Sequence, residues 1–205
     1  MKSAVTEFER RRASARSLLD AAEAGRTRIV RRVFNESLNA TWRELFVRLA
    51  PDEQFVPEFE VPDTSKRVSV RLLTTHRDGT TAGSPAEMLS AGNLNTAALT
   101  LFLALHLTAA SRLPWLLLDD PVQSMDEVHV SQFAALLRTL TKQHGRQLVI
   151  AVHERPLFEY LTLELSPAQE GDRLAAIDLS SSSDGSTAVH PKVFTYEADT
   201  VQAAA

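Results

Sequence analysis

The stretch Trp115-Leu116-Leu117-Leu118-Asp119-Asp120-Pro121-Val122-Gln123-Ser124-Met125-Asp126 decides the fold. Four apolar residues end in two adjacent carboxylates, a proline follows at once, and a third acid lies a short loop further on. An unbroken apolar run of this kind predicts a strand buried on both faces, as parallel sheets require. Ligands on such sheets sit beyond the carboxyl ends of the strands, where Asp119 and Asp120 would stand. Two adjacent carboxylates repel each other, and a divalent cation relieves that repulsion. Mg2+ takes one or two carboxylates together with phosphate oxygens and water. The second acid is then free to orient or deprotonate an attacking water. The plainer reading is a polar turn, since Asp and Pro both favour turns.

Residues 127–144 follow as an amphipathic helix carrying Val128, Phe133, Leu136, Leu137 and Leu140, stopped at Gly145. Residues 147–152 form a second apolar strand. Strand 113–119, helix and strand 147–152 make a βαβ unit, which implies a parallel sheet with a right-handed crossover. His153 leaves the second strand at the same end as Asp119 and Asp120, so all three are expected to face one crevice. There His153 can hydrogen-bond a phosphate oxygen or the attacking water, although a histidine at a strand end is often structural. Upstream, Leu89-Ser90-Ala91-Gly92-Asn93 opens a helix running from about residue 92 to 111. Ser90 can cap it, and Gly92 permits close backbone approach. The free N–H groups at the helix start favour an anion, phosphate above all. A simple cap would look the same.

Residues 1–49 are predicted to be helical. Val5, Phe8, Ala15, Leu19, Ala22, Ile29 and Val33 form a short, imperfect heptad stripe, interrupted at Arg12 and Arg26 and weakened by Gly25. The apolar pattern thickens through Phe34, Leu38, Trp42, Leu45, Phe46 and Leu49 before Pro51 ends it, as if a stalk entered a head. Two strands are expected across residues 54–75, one carrying Phe55, Phe59 and Val61, the other Val68, Val70 and Leu72. Pro62-Asp63-Thr64-Ser65 turns between them, and residues 76–85 form a loop. A short helix is expected over 156–163, and a hairpin from strands 174–179 and 188–196. The tail from Ala198 is expected to fray.

Composition bounds the partners. The 205 residues have a net charge of -4 and no cysteine, which excludes disulfides and thiolate metal sites and fits a reducing cytoplasm. Residues 1–32 hold nine Lys/Arg against four Asp/Glu, so a basic helical arm joins a net acidic remainder. Such an arm can meet phosphate, or it can be a solvated face. No signal peptide opens the sequence, and residues 94–110 are too short and too mixed to span a bilayer.

Taken together, these motifs resemble the C-terminal lobe of ABC-type ATPase heads of the SMC, RecN, RecF and SbcC group. Residues 89–93 resemble the signature LSGGQ, and residues 115–120 resemble the Walker B strand. Residues 119–126 match the stretch DEPTSALD in spacing, which puts Ser124, Met125 and Asp126 in the D-loop. His153 matches the switch histidine in context and distance. The resemblance is close over about residues 88–160.

It implies a P-loop NTPase fold of the α/β class: a C-terminal lobe with parallel sheet strands, a flanking β-hairpin and an N-terminal coiled-coil-like helix. Residues 1–50 would be the stalk, 51–197 the lobe and 198–205 a disordered tail. It implies ATP and Mg2+ as cofactors. Asp119 would hold Mg2+ through water, and Asp120 would polarise the attacking water. His153 would contact the γ-phosphate in cis. Ser90, Ala91, Gly92 and Asn93 would meet ATP on an opposite head, and Asp126 would act across that dimer interface. Implied partners are the opposing head, DNA in repair, recombination or chromosome organisation, and no membrane, with a cytoplasmic, nucleoid-associated location.

Four positions depart from the family pattern, one of them Gln123, which stands where the family often has serine. Ala91 replaces a glycine and needs a negative φ; Asn93 replaces glutamine; Asp120 replaces glutamate, as in RecF-like heads. No G-x-x-x-x-G-K-[ST] loop occurs among the seven glycines. The expected partner is therefore an N-terminal Walker A lobe, in the same longer chain or in a separate subunit, and the isolated chain is expected to be nearly inert. The competing readings are a catalytically inert dimerisation or regulatory module and a metal-dependent nuclease using Asp119, Asp120 and His153.

Overall fold

The computed structural model describes residues 2–61, 69–108, 113–123, 125–181 and 185–198. The chain divides into two compact units: Met1–Leu113 with Val122–His129, and Pro114–Pro121 with Val130–Ala205.

The first unit opens with helix α1 (Lys2–Arg31), passes through a π-helical stretch (Arg32–Leu38) and continues as α2 (Asn39–Leu49). Phe8, Leu18, Leu19, Ile29 and Val33 are exposed, whereas Leu38, Trp42, Leu45, Phe46 and Leu49 are buried. The expected change from stalk-like to core-like helix is therefore present. It occurs across the π-helical stretch, which apolar periodicity did not predict. An i→i+5 turn is wider than an α-turn and rotates the faces that follow it. Just beyond it, the Asn39 carboxamide donates to the Phe59 carbonyl at 2.6 Å and accepts the Phe59 N–H at 2.9 Å.

That contact pins β1 (Phe55–Glu60), which pairs antiparallel with β2 (Arg71–His76). The inward residues differ from expectation. Val56 and Val61 are buried while Phe55 and Phe59 are half-buried, and Leu72 and Val70 are exposed. The fully buried position on β2 is Thr74. Burial of this polar side chain is offset by pairing: its N–H and hydroxyl both donate to the Gly83 carbonyl at 3.0 Å, and its own carbonyl accepts the Ala82 N–H at 2.8 Å. Val68 and the predicted turn at 62–65 lie outside the described residues. Helix α3 (Pro85–Met88) starts with a Ser84–Glu87 capping box, and α4 (Ala91–Thr108) follows at once. Trp42 ties α2 to α4, its Nε1 donating to the Ala97 carbonyl at 3.0 Å and to Thr100 Oγ1 at 3.1 Å. The predicted end of α4, at 111, lies outside the described residues.

In the second unit, β3 (Trp115–Asp119) and β4 (Gln147–Ala151) pair in parallel, from Trp115↔Gln147 to Asp119↔Ala151. Helix α5 (Glu127–Lys142) connects them, as the βαβ pattern predicts. The strands are not buried on both faces, however. Leu116 and Leu118 are buried, while Trp115 is 55%, Leu117 65% and Val149 57% exposed. The pleat alternates faces, and the chain covers only one of them. Val128, expected in the apolar face of α5, is exposed in its first turn, whereas Phe133, Leu136, Leu137 and Leu140 are buried. After α5, Gly145 takes φ +59, and the Arg146 N–H reaches back to the Leu140 carbonyl at 3.0 Å. Helix α6 (Arg155–Glu164) and the antiparallel hairpin β5 (Arg173–Ser181) and β6 (Thr187–Thr195) complete the unit. Residues 199–205, expected to fray, lie outside the described residues.

Candidate nucleotide site

The acidic pair sits where the chain leaves β3. Asp119 is the last strand residue and is exposed. Asp120 then takes φ 46, the one positive φ at a non-glycine among the described residues. Aspartate enters this left-handed region more readily than most side chains, because its short polar group can hydrogen-bond locally. The Asp120 N–H still donates to the Ala151 carbonyl at 2.8 Å, which extends the β3–β4 ladder by one step. The kink turns the carboxylate toward the residue leaving β4. His153 Nδ1 lies 2.9 Å from Asp120 Oδ2, and its Nε2 lies 3.9 Å from Glu154 Oε1. An ionised carboxylate only accepts, so this approach is favourable when Nδ1 carries a proton. The Asp120 side chain is 26% exposed and that of His153 65%, so the pair opens to solvent.

Asp119 and Asp120 offer oxygen atoms, the ligand class Mg2+ takes. Among the described residues no group of three or more His, Asp or Glu gathers to hold a metal by itself. This donor set fits an ion that draws its remaining oxygens from phosphate and water.

Residues 89–93, expected to form the signature motif, belong to the first unit. Ser90 caps α4: its Oγ accepts the Asn93 N–H at 3.2 Å, and its carbonyl accepts the Leu94 N–H at 2.8 Å. Ala91 is the first helical residue and is not among the positive-φ positions, so its Cβ is tolerated where the pattern has glycine. Thr96 Oγ1 donates to the Gly92 carbonyl at 3.0 Å. Asn93 Nδ2 donates to Glu53 Oε2 at 2.5 Å.

Asp126, in the same unit, caps α5. Its Oδ1 accepts the His129 N–H at 2.9 Å and lies 2.6 Å from His129 Nδ1. These contacts, led by the His129 backbone N–H, hold the Asp126 carboxyl below the usual carboxylate range. The Asn95 carboxamide donates to the Gln123 carbonyl at 3.2 Å, at the end of the turn that follows β3. Ser124 lies outside the described residues.

The structure thus brings Asp120 and His153 into contact, with Asp119 adjoining, and gathers residues 90–93 at one helix start. Sequence reasoning missed Glu53 and His129. His129 stands three residues after Asp126, a capping interval that could have revealed it. Glu53 lies 40 residues from Asn93, and no local pattern points to it.

Solved structures share this architecture. The chain aligns with a structure from work on ATP-driven dimerization and DNA-stimulated activation of SMC ATPases, at 17% identity and a TM-score of 0.57. That alignment covers 81% of this chain and 89% of the other. This chain shares the SMC head fold. The Smc head with an extended coiled coil from Pyrococcus furiosus, bound to the C-terminal domain of ScpA, aligns at 16% identity with a TM-score of 0.65. A Smc head with coiled coil and joint from Pyrococcus yayanosii aligns at 17% with a TM-score of 0.62. These cover 93% and 92% of this chain, which spans 43% and 33% of those two. No family model and no curated protein matches the sequence. Among the described residues no helix is long and apolar enough to cross a membrane.

Proposed function

We propose that this chain is the C-terminal lobe of an SMC-like ATPase head and hydrolyses ATP only within a composite site completed by a Walker A lobe and an opposing head. The observation that carries this reading is the Asp120–His153 contact of 2.9 Å at the carboxyl ends of two paired parallel strands. Asp119 would hold Mg2+ through water, and bound Mg2+ would neutralise phosphate charge. Asp120 would polarise the attacking water, and its approach to His153 keeps that carboxylate in one orientation. His153 would meet the γ-phosphate in cis. Ser90 to Asn93 would present a hydroxyl and helix-start N–H groups to ATP on the opposite head, and Asp126 would act across that interface. Residues 1–50 serve as the stalk and 51–197 as the lobe. Head closure would act on DNA in repair, recombination or chromosome organisation, with the basic residues of α1 as one point of contact.

The exposed sheet face supports the proposed partner lobe. Parallel sheets are covered on both faces in nearly all folds, yet Trp115, Leu117 and Val149 face solvent. The test is co-expression with a Walker A-bearing lobe and an assay of Mg2+-dependent ATP turnover. Turnover that Asp120→Asn abolishes supports the proposal. Its absence from a correctly assembled complex leaves the inert regulatory module as the better description.

A further inference from the structure

We infer that Glu53 is a positioning residue for the signature motif, fixing which end of the Asn93 carboxamide a ligand meets. The inference rests on the reading of residues 89–93 as that motif. Glu53 lies in the turn between α2 and β1, and each of its carboxylate oxygens is occupied. Oε1 accepts the Phe55 N–H at 3.0 Å, and Oε2 accepts from Asn93 Nδ2 at 2.5 Å. The first contact ties the carboxylate to the start of β1, so it cannot swing freely. The turn itself is braced, since the Arg77 guanidinium donates to the Pro51 carbonyl at 2.6 Å and the Arg77 N–H to the Gln54 carbonyl at 3.0 Å.

The chemistry of the partners sets the orientation. An ionised carboxylate only accepts, whereas a carboxamide donates from nitrogen and accepts at oxygen. Nitrogen must therefore face Glu53, and Oδ1 takes the far side. The Asn93 backbone is held as well, through its N–H to Ser90 Oγ. Backbone and side chain are thus locked from two directions, one local and one from 40 residues away. At this corner the motif keeps a single amide hydrogen and one carbonyl oxygen for a ligand. The Ser90 hydroxyl hydrogen and the first N–H groups of α4 remain as donors for phosphate. Glu53 also places negative charge beside an anion site, and the interposed amide screens it. Losing the Glu53 contact would let the carboxamide rotate and either end face the ligand.

The test uses the composite head, this chain with its Walker A lobe, carrying Glu53→Ala or Glu53→Gln. Glutamine has one oxygen for the two donors that Glu53 serves, and its amide nitrogen can meet Asn93 Oδ1 instead, so Glu53→Gln should also raise the ATP concentration for half-maximal turnover, by roughly 3-fold or more. Glu53→Ala should raise that concentration roughly 5-fold or more, with a smaller change in kcat. A merely structural role would lower the unfolding temperature without that KM-selective pattern. A folded Glu53→Ala or Glu53→Gln head with wild-type KM overturns the inference. Failure of the wild-type head to turn over ATP counts against the proposed function, and a second measurement then decides the positioning. In 1H–15N spectra of the chain, one Asn93 side-chain amide proton should be shifted and slow to exchange, and Glu53→Ala should abolish both features. An Asn93 amide unchanged by Glu53→Ala overturns the inference.

Discussion

At Asp120 the backbone and the chemistry constrain each other. A φ of 46 is costly for a β-branched residue and mild for Asp or Asn. Asp120→Asn should therefore leave the urea-unfolding midpoint nearly unchanged while removing the charge that the proposed hydrolysis would use. Asp120→Val should lose about 1–2 kcal/mol from the left-handed backbone alone. Equal stabilities for the two variants would show that the backbone relaxes to negative φ. Adjacent acids after an apolar strand were legible in the sequence, but the kink that aims the second at His153 was not. That kink depends on the Asp120 N–H meeting the Ala151 carbonyl of a strand reached only after α5. Asp126 gives a second expectation at this scale. Its carboxyl lies below the ordinary range because the folded state hydrogen-bonds the charged form, first through the His129 N–H. A depressed folded pKa contributes stability above the unfolded value, lost as pH falls through the folded one. Asp126→Asn still caps a helix, so it should keep α5 intact at neutral pH. It should also flatten the loss of protection at the His129 amide below about pH 4, as hydrogen exchange would record. An unchanged acid profile would remove Asp126 as its source.

Among the elements, the packing of α2 on α4 depends on a few buried polar contacts. Trp42 delivers one N–H to both Ala97 and Thr100, and Thr96 and Thr100 are fully buried beside it on α4. Trp42→Phe keeps an aromatic ring but leaves the Ala97 carbonyl without that donor. The expected loss is about 1–3 kcal/mol by chemical denaturation; a change below about 0.5 kcal/mol would mean that the carbonyl is satisfied otherwise. The long helices were legible because their apolar residues run over many turns, whereas the four-residue α3 was not expected from the sequence. The π-helical turn between α1 and α2 was not, since seven residues are too few to reveal a shifted period. The β1–β2 hairpin was legible as two strands but not in its inward face, because Thr74 is buried through hydrogen bonds that hydropathy does not register. A second titration belongs to the turn that follows β2. The Thr80 backbone N–H, the Thr80 hydroxyl and His76 together hold Asp78 down to about 2. The turn should therefore keep its contacts as pH falls past 4 and release them near 2. The Thr80 amide shift would follow that midpoint, and a midpoint near the ordinary carboxylate value of about 4 would mean the contacts are not formed in solution.

For the whole molecule, the apolar pattern of the strands calls for more cover than the chain provides. The run Trp115 to Leu118 reads as a strand covered on both faces, and the chain supplies cover for Leu116 and Leu118 alone. Sequence reasoning failed here for a physical reason: hydropathy records how apolar the two faces of a strand are, not what covers them. The hairpin β5–β6 shows the same excess, with Ile177, Leu179, Val189 and Val193 exposed and directly or diagonally opposed across the strands. Leu117→Glu separates the two roles of β3. At 65% exposure Leu117 contributes little to the chain's own core, so the isolated variant should unfold within about 1 kcal/mol of wild type. In a composite head the same carboxylate would be buried without a partner, a desolvation penalty of several kcal/mol. Co-purification with a Walker A-bearing lobe should therefore fall by two orders of magnitude or more, since each 1.4 kcal/mol is about tenfold. Leu116→Glu, on the covered face, should instead abolish folding of the chain alone. A Leu117→Glu chain that still assembles at wild-type affinity would place the Walker A lobe elsewhere than on this sheet face, and a composite site built on Asp119 and Asp120 would then lack the neighbour it needs.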